Sequence, residues 1–286
     1  MSFIEIKNVS FGYGHKTPFE VQALSDVSLS VEKGEFISVI GHTGSGKSTL
    51  MQMLNGLIKP ESGEIRLDGK NINASKKNIS EARFRVGLCF QYPEYQLFGE
   101  TCYEDIAFGP RNMGLNEEEV KKRVMQAISF VRLKPEKLQK SPFDLSGGQK
   151  RRCAIAGVMA MLPDVLILDE PTAGLDPAGR EAILGMIGNY HKQTGATVIH
   201  VTHSMEIAAA MSERILVLNH GTVAYFGTPK EIFSHGEELV AMGLNVPAFT
   251  KIILELKKRG FHPEEAYTVE AAADQIASLL GGGTAL

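Results

Sequence analysis

The amino-acid sequence predicts an α/β fold with a mostly parallel central sheet, and three observations support this class. Helical patterns separate a series of short apolar runs of strand length, at 36–40, 86–90, 165–168, 197–201 and 215–218. Segment 41–48 reads GHTGSGKS, which fits the phosphate-binding pattern G-x-x-x-x-G-K-[S/T]. It lies between the first apolar run and a helical pattern at 48–55, which is the order that phosphate binding requires.

The residue types of this loop indicate how it would bind a nucleotide. Its glycines leave successive backbone N–H groups free to turn inward. The N-terminus of the following helix adds partial positive charge. Lys47 would reach the β- and γ-phosphates, and Ser48 would hold Mg²⁺ through its hydroxyl.

Composition is that of a soluble globular protein and excludes some functions. The 286 residues are 43% hydrophobic and 22% charged, with a net charge of −3 and no Trp, so nothing indicates a nucleic-acid partner. The three cysteines form no C-x-x-C pair, which fits a reducing compartment. We see no signal peptide, and the longest apolar stretch, near 153–162, is too short to span a bilayer. We therefore expect membrane association to come through a partner.

The N-terminal elements predict a small antiparallel layer on the nucleotide-binding sheet. Residues 4–7 and 27–31 alternate like half-buried strands, and 9–13 and 63–69 are further short strands. A turn-rich loop is predicted at 14–20.

A helical insert is predicted next, at about 100–162. One helix of it begins with a cap at Asn116 and an acidic first turn. Its apolar positions keep to one face: Val120, Val124, Ala127, Ile128 and Val131.

Polar residues follow several of the later strands, where ligands bind in parallel sheets. Gln91, Asp169, Glu170 and His203 all stand at or just after strand ends, and we expect them to converge on the phosphate-binding loop. His200, three residues before His203, lies within its strand and is expected to pack in the core.

The composition changes at about residue 229, and we predict two domains, 1–228 and 229–286. In the second, helices are expected at 237–242, 247–259 and 263–280. The glycine-rich tail 281–286 is expected to fray.

A second anion site is predicted at Leu145–Gln149, which reads LSGGQ. Ser146 would cap a helix there, and Gly147 and Gly148 would expose backbone N–H groups at its end. One nucleotide does not need two such sites in one chain. The economical explanation is a head-to-tail dimer in which this site completes the nucleotide pocket of the partner.

With these motifs, residues 2–228 resemble the ATP-binding cassette (ABC) ATPases. The resemblance implies that Asp169 positions Mg²⁺ and that Glu170 is the general base for the attacking water. It implies that Gln91 contacts the metal, that His203 contacts the γ-phosphate, and that 173–176 forms the D-loop across the dimer. Tyr13 would stack on adenine, although Phe11 is an alternative.

The resemblance therefore implies a full set of ligand residues. Residues expected to bind ATP are Tyr13, Gly41, His42, Thr43, Gly44, Ser45, Gly46, Lys47, Ser48, Thr49, Ser146, Gly147, Gly148, Gln149 and Asp176. Those expected to act on the metal are Ser48, Gln91 and Asp169.

Within that family the chain most resembles the second of two paralogous ATPases of energy-coupling factor transporters. The motifs behind this are 41–47, 90–98, 108–111, 141–145 and 173–180. The resemblance implies an importer of vitamins or, alternatively, of cobalt or nickel. It also implies a paralogous ATPase partner, with a homodimer left open, and an extension from residue 229 that helps dimerisation.

The same resemblance implies a peripheral position on the cytoplasmic face of the cell membrane. A groove after Gln91 would receive a coupling helix of the transmembrane component, with Tyr92, Tyr95, Leu97 and Phe98 as candidates. The alternative is that these four residues fold into the core. Substrate-binding membrane subunits would be contacted only indirectly.

Three other functions remain as alternatives: a conventional ABC importer, a non-transport ABC ATPase, and a nucleotide switch. Against DNA-repair members, the interval between the two glycine motifs has about a hundred residues without sustained heptads. Against ribosome-associated members, the chain has one cassette. Against the switch, the Glu170 position is intact.

Overall fold

The computed structural model describes residues 2–14, 17–261 and 269–279. The strands in these ranges are β1 (Ile4–Tyr13), β2 (Val21–Val31), β3 (Phe36–Ile40), β4 (Ser62–Leu67), β5 (Lys70–Asn71), β6 (Val86–Cys89), β7 (Val165–Asp169), β8 (Thr197–Val201), β9 (Arg214–Asn219) and β10 (Thr222–Gly227). The helices are α1 (Lys47–Leu54), α2 (Lys76–Arg85), α3 (Cys102–Asn112), α4 (Glu117–Phe130), α5 (Gly147–Met159), α6 (Pro177–Thr194), α7 (Met205–Met211), α8 (Pro229–Ser234), α9 (Gly236–Ala241), α10 (Ala248–Lys258) and α11 (Val269–Leu279).

The central sheet has the strand order β10-β9-β3-β8-β7-β6. All neighbours pair in parallel except β10, which runs antiparallel to β9 at the edge. Every residue of β3 and β8 is buried, because other elements cover both faces of the sheet. This order brings the carboxyl ends of β3, β8 and β7 side by side, and the functional residues follow those ends.

The N-terminal strands form a second, antiparallel sheet, as predicted, in the order β2-β1-β4-β5. The two short N-terminal strands predicted at 4–7 and 9–13 are one strand, β1, whose register shifts near Asn8. Asn8 has a φ of 50°, so the strand continues through a local irregularity. Apolar residues of this sheet, of α1 and of the central sheet share one buried cluster, and the antiparallel layer therefore covers the nucleotide loop from one side.

Helices α3, α4 and α5 make the predicted helical region. Asn116 caps α4, and its Oδ1 accepts a hydrogen bond of 2.9 Å from the backbone N–H of Glu119. The apolar face predicted for α4 is buried, and it packs with α3, α5 and one face of the central sheet. The helical region therefore packs on the face of the sheet that β6 and β7 form.

Helices α8 to α11 follow the cassette. Phe249 and Ile253 of α10 are buried against Ala272 of α11 and Ala209 of α7. Sequence patterns missed α2, α8 and β10, which are short or weakly patterned. Residues 262–268 and the tail 281–286 lie outside the described residues. Two predictions fall there: the start of the helix expected at 263–280 and the frayed tail. In the described part of the chain, no helix has the length and apolar character needed to cross a bilayer.

Candidate nucleotide-binding site

The glycine loop turns from β3 into α1 with backbone conformations that other residues could adopt only with strain. Gly41, Gly44 and Gly46 have φ values of 156°, 82° and 98°. A Cβ on Gly41 would lie 2.4 Å from the carbonyl oxygen of Leu218, and one on Gly46 would lie 2.5 Å from that of Ala23. The loop is thus pressed against β2 and β9, which fixes its shape.

Lys47 places its ammonium group at the centre of this loop. Its Nζ donates hydrogen bonds of 2.6 Å and 2.8 Å to the carbonyl oxygens of Gly41 and His42. Burial lowers the pKa of Lys47, while the negative charges of Glu170 and Asp169 oppose that shift. The loop therefore holds a cation in place within reach of two carboxylates.

The acidic residues lie opposite the loop, as the strand order requires. Ser48 donates a hydrogen bond of 2.9 Å from its Oγ to Oδ2 of Asp169. Next to them, Nε2 of His203 lies 2.6 Å from Oε1 of Glu170, and Nε2 of Gln91 lies 3.4 Å from Oε2. Residues following β6, β7 and β8 thus meet at one carboxylate, as the sequence predicted.

Glu170 is held in an uncommon backbone conformation, with a φ of 50°. Its N–H donates a hydrogen bond of 3.0 Å to the carbonyl oxygen of Val201, and its own carbonyl accepts one of 3.1 Å from the N–H of Ala173. These bonds tie the turn after β7 to β8 and to the following loop. A strained residue that its neighbours hold in place is typical of functional sites.

The other end of the cleft is formed by the antiparallel sheet. The hydroxyl of Tyr13 lies 3.2 Å from Oγ1 of Thr49, and its ring contacts Phe11 edge to face at 4.9 Å. Tyr13 is half exposed, so one ring face is accessible for stacking on a base. Val21, Gln22 and Ala23 of β2 also line this end. Sequence analysis missed these three, because no motif marks them and only the pairing of β1 with β2 beside the glycine loop brings them here.

Together these residues enclose a cleft of about 480 Å³, large enough for a nucleotide. It is lined by Tyr13, Val21, Gln22, Ala23, Thr43, Gly44, Gly46, Lys47, Ser48, Thr49, Gln91, Asp169, Glu170 and His203. Three loop residues expected to bind ATP do not line it: Gly41, His42 and Ser45. Ser45 is fully buried, and the ring of His42 packs against His220 at 4.6 Å.

Comparison with known proteins identifies the family to which this cleft belongs. Residues 24–173 match a family model described as ABC transporter. The chain is 50% identical over 280 residues to the energy-coupling factor transporter ATP-binding protein EcfA2 of Caldanaerobacter subterraneus subsp. tengcongensis, covering 98% of each. The chain belongs to the ABC ATPases of energy-coupling factor transporters. It is an ATP-binding subunit that hydrolyses ATP and associates peripherally with a membrane transporter.

Solved structures of ABC ATPases have the same fold. Clostridium perfringens cbiO1, described as part of the ABC transporter complex cbiONQ, is 37% identical with a TM-score of 0.74 over 91% of this chain and 97% of that one. The cassette MJ0796, in a dimeric post-hydrolysis state bound to ADP and Pi, is 30% identical with a TM-score of 0.71 over 79% and 98%. The predicted fold class and family are therefore confirmed.

The ABC signature motif, Leu145–Gln149, does not line the cleft of its own chain. It begins α5 with Ser146 as the cap, as predicted, and the N–H of Ser146 donates to Oε1 of Gln149 at 3.3 Å. A Cβ added to Gly147 or Gly148 would meet no heavy atom within 4 Å. The space beside these two glycines is thus open to a ligand from outside the chain.

The D-loop residue Asp176 also lies away from the cleft, and it has a local role that the sequence reading missed. Its Oδ1 accepts a hydrogen bond of 2.8 Å from the N–H of Gly179, so it caps α6. An acidic residue followed by Pro177 is a helix-start signal that the sequence contained.

An apolar groove of about 350 Å³ lies beside the residues that follow Gln91. We call Tyr92–Phe98 the docking segment. Tyr95 and Phe98 are 84% and 65% exposed, whereas Leu97 is half-buried against the helical region. Oδ1 of Asp105 accepts hydrogen bonds of 3.0 Å from the N–H groups of Phe98 and Gly99, which fixes the segment to α3. Tyr95 and Phe98 therefore expose most of their surface, whereas Tyr92 is 40% exposed.

Proposed function

We propose that this chain powers import by closing on ATP with a second, paralogous ATPase, and that closure moves a transmembrane component docked at the Tyr92–Phe98 segment. The observation that carries the proposal is the division of the site. Phosphate-binding and carboxylate residues share one cleft, whereas the open signature motif lies outside that cleft. Two chains arranged head to tail would bring each cleft to the signature motif of the other.

The residues of the cleft fit ATP with Mg²⁺. The Ser48 hydroxyl and the Asp169 carboxylate are the hard oxygen donors that Mg²⁺ prefers, they lie within 2.9 Å of each other, and the Gln91 side chain is nearby. These residues would hold the ion, which supplies charge neutralisation on the transferring phosphoryl group. Lys47 would bind the phosphate oxygens, and the loop N–H groups would surround them.

Hydrolysis is assigned to Glu170 with His203 and Gln91. A carboxylate at this position accepts the proton of the attacking water as general base. His203 and Gln91 each approach one oxygen of Glu170, so they orient the carboxylate and stand at the γ-phosphate end of the cleft. In the partner cleft, Ser146, Gly147, Gly148 and Gln149 would bind the γ-phosphate, with Asp176 at the same interface.

The docking segment suits a helix of a membrane component. Exposed Phe98 lines an apolar groove, and exposed Tyr95 lies three residues before it in the same segment. Aromatic residues are the usual anchors when a helix binds in a groove. Such docking would place the chain on the cytoplasmic face of the membrane. A vitamin or related micronutrient is the proposed cargo, with cobalt or nickel as the alternative that the family resemblance leaves open.

Co-purification of the tagged chain from gently solubilised native membranes tests this function. We expect a second, related ATPase and one small integral membrane protein. Tyr95→Ala combined with Phe98→Ala should remove the membrane protein, since anchor residues contribute about 2 kcal/mol or more each, and should retain the ATPase. The matched control is Phe19→Ala, which truncates an 83% exposed aromatic residue outside the groove.

The alternatives give different results in the same experiment. A pair of permease subunits with an extracytoplasmic binding protein would indicate a conventional ABC importer. Recovery of no membrane protein would contradict a transport function, and the ATPase chemistry would then serve another process. Equal recovery of the membrane protein with the double variant would place the docking surface elsewhere.

A further inference from the structure

Arg151 is a buried arginine that the ATPase mechanism above does not use. It lies on α5, two residues after the signature motif, and its side chain is only 4% exposed. Nε and Nη2 donate hydrogen bonds of 2.9 Å and 2.5 Å to the two carboxylate oxygens of Glu94. Its Nη1 donates to the carbonyl oxygens of Ala173 at 2.6 Å and Pro171 at 3.3 Å. All three guanidinium nitrogens are therefore engaged.

The partners of Arg151 belong to two functional parts of the chain. Glu94 lies in the middle of the docking segment, within the short 3-10 helix Pro93–Gln96. Pro171 directly follows the general base Glu170, and Ala173 begins the D-loop. One side chain on the signature helix thus contacts both the surface proposed to receive the membrane component and the loop proposed to face the partner ATPase.

The chemistry of this contact makes it sensitive to small displacements. Burial opposes the ionisation of Glu94, but the hydrogen bonds from Arg151 outweigh it, and the pKa of Glu94 lies below its usual value. A buried charge that loses its partner is strongly destabilised, so the two side chains move together. A planar guanidinium fork also fixes direction, which a lysine ammonium does not.

We infer that Arg151 is a positioning residue that couples the docking segment to the composite ATP site, because a single side chain holds both Glu94 and the start of the D-loop. The inference rests on the proposed function and goes beyond it. When the membrane component shifts the docking segment, Glu94 carries Arg151 with it, and the signature helix and D-loop follow. Arg151 does not line the ATP cleft, so it acts on turnover and not on nucleotide binding.

The steady-state kinetics of ATP hydrolysis by the purified transporter complex in liposomes test this. For Arg151→Met we expect kcat to fall by between about 2-fold and 30-fold, the range found for residues that couple distant sites, with KM for ATP unchanged. Arg151→Lys should restore little of the lost kcat, since lysine lacks the planar guanidinium fork. Adding Glu94→Gln to Arg151→Met should lower kcat no further, because both changes break one contact.

Arg123→Met is the matched control. Arg123 of α4 also pairs with a carboxylate, Glu119, at 2.9 Å and donates to the carbonyl oxygen of Met161 at 3.1 Å, but it touches neither functional loop. We expect it to lower thermal stability and to leave kcat unchanged. An equal loss of kcat in this control would assign the effect to general destabilisation and overturn the inference.

The remaining outcomes separate this inference from the proposed function. If the wild-type complex hydrolyses ATP and folded Arg151→Met complexes match its kcat, only the inference fails. A rise in KM that accounts for the whole loss would place Arg151 in nucleotide binding and would also overturn it. If the wild-type chain recruits no membrane component, the proposed function fails, and the inference fails with it.

Discussion

The ATP cleft and the signature end of α5 differ in how completely one chain builds them. In the cleft, side chains after three neighbouring strands reach Glu170 or the glycine loop and bond to one another. At the signature end, Gly147 and Gly148 have open space above them, and the motif contributes nothing to its own cleft. The difference teaches that one chain brings together the residues of the phosphate-binding cleft, and it is the basis for our proposal that a complete catalytic site needs a second chain.

The largest effect on the cleft is expected from Glu170→Gln. The amide keeps the size of the side chain but cannot accept a proton, so we expect ATP turnover to fall by about 100- to 10,000-fold. ATP binding should persist, and ATP-bound dimers should accumulate. Phosphate release and size-exclusion chromatography with ATP would measure both effects, and unchanged turnover would exclude Glu170 as the base.

Gly148→Asp should disrupt the signature motif without disturbing the cleft of the same chain. The new side chain has room in the isolated chain, because a Cβ there meets no heavy atom within 4 Å. Its negative charge would repel the γ-phosphate of a partner cleft, and we expect turnover to fall by about 100-fold. Nucleotide affinity and melting temperature of the single chain should stay unchanged. A matching loss of nucleotide affinity in the isolated chain would mean that the motif serves its own cleft.

A smaller effect is expected on the pH dependence of protein stability, and it comes from β8, one of the strands that end at the cleft. His200 of β8 is fully buried, neither ring nitrogen has a hydrogen-bond partner, and burial lowers its pKa to about 4. The unfolded chain, with an ordinary histidine pKa, takes up a proton first as pH falls, so stability is lost from about pH 6.5 down to about pH 4. By this linkage His200 alone removes about 2 kcal/mol between pH 7 and pH 5.

His200→Leu should therefore flatten the pH dependence of stability while leaving ATP turnover in place. Urea unfolding at pH 7 and pH 5 would measure it for both proteins. An identical loss of stability in the variant would show that other groups cause the acid sensitivity. The result would also separate the packing role of His200 from the proposed catalytic role of His203, three residues later.

The sequence by itself determined the local parts of this protein. The loop 41–48, the pair Asp169 and Glu170, and the signature cap at Ser146 depend on a few consecutive residues, because backbone conformation and helix capping are local effects. The alternation of strands and helices also fixed the sheet type, and from it the meeting of strand ends. These motifs were sufficient to identify the ABC family, and the resemblance at 41–47, 90–98, 108–111, 141–145 and 173–180 identified its energy-coupling factor branch.

Only the tertiary structure decided the contacts between distant residues that neither a motif nor a strand end marks. Val21, Gln22 and Ala23 line the cleft because β1 pairs with β2 beside the glycine loop, and no sequence period marks that contact. Arg151 and Glu94 are 57 residues apart, and each alone reads as an ordinary surface charge. The physical reason is that burial and ion pairing depend on packing between elements, which residue patterns within one element do not specify.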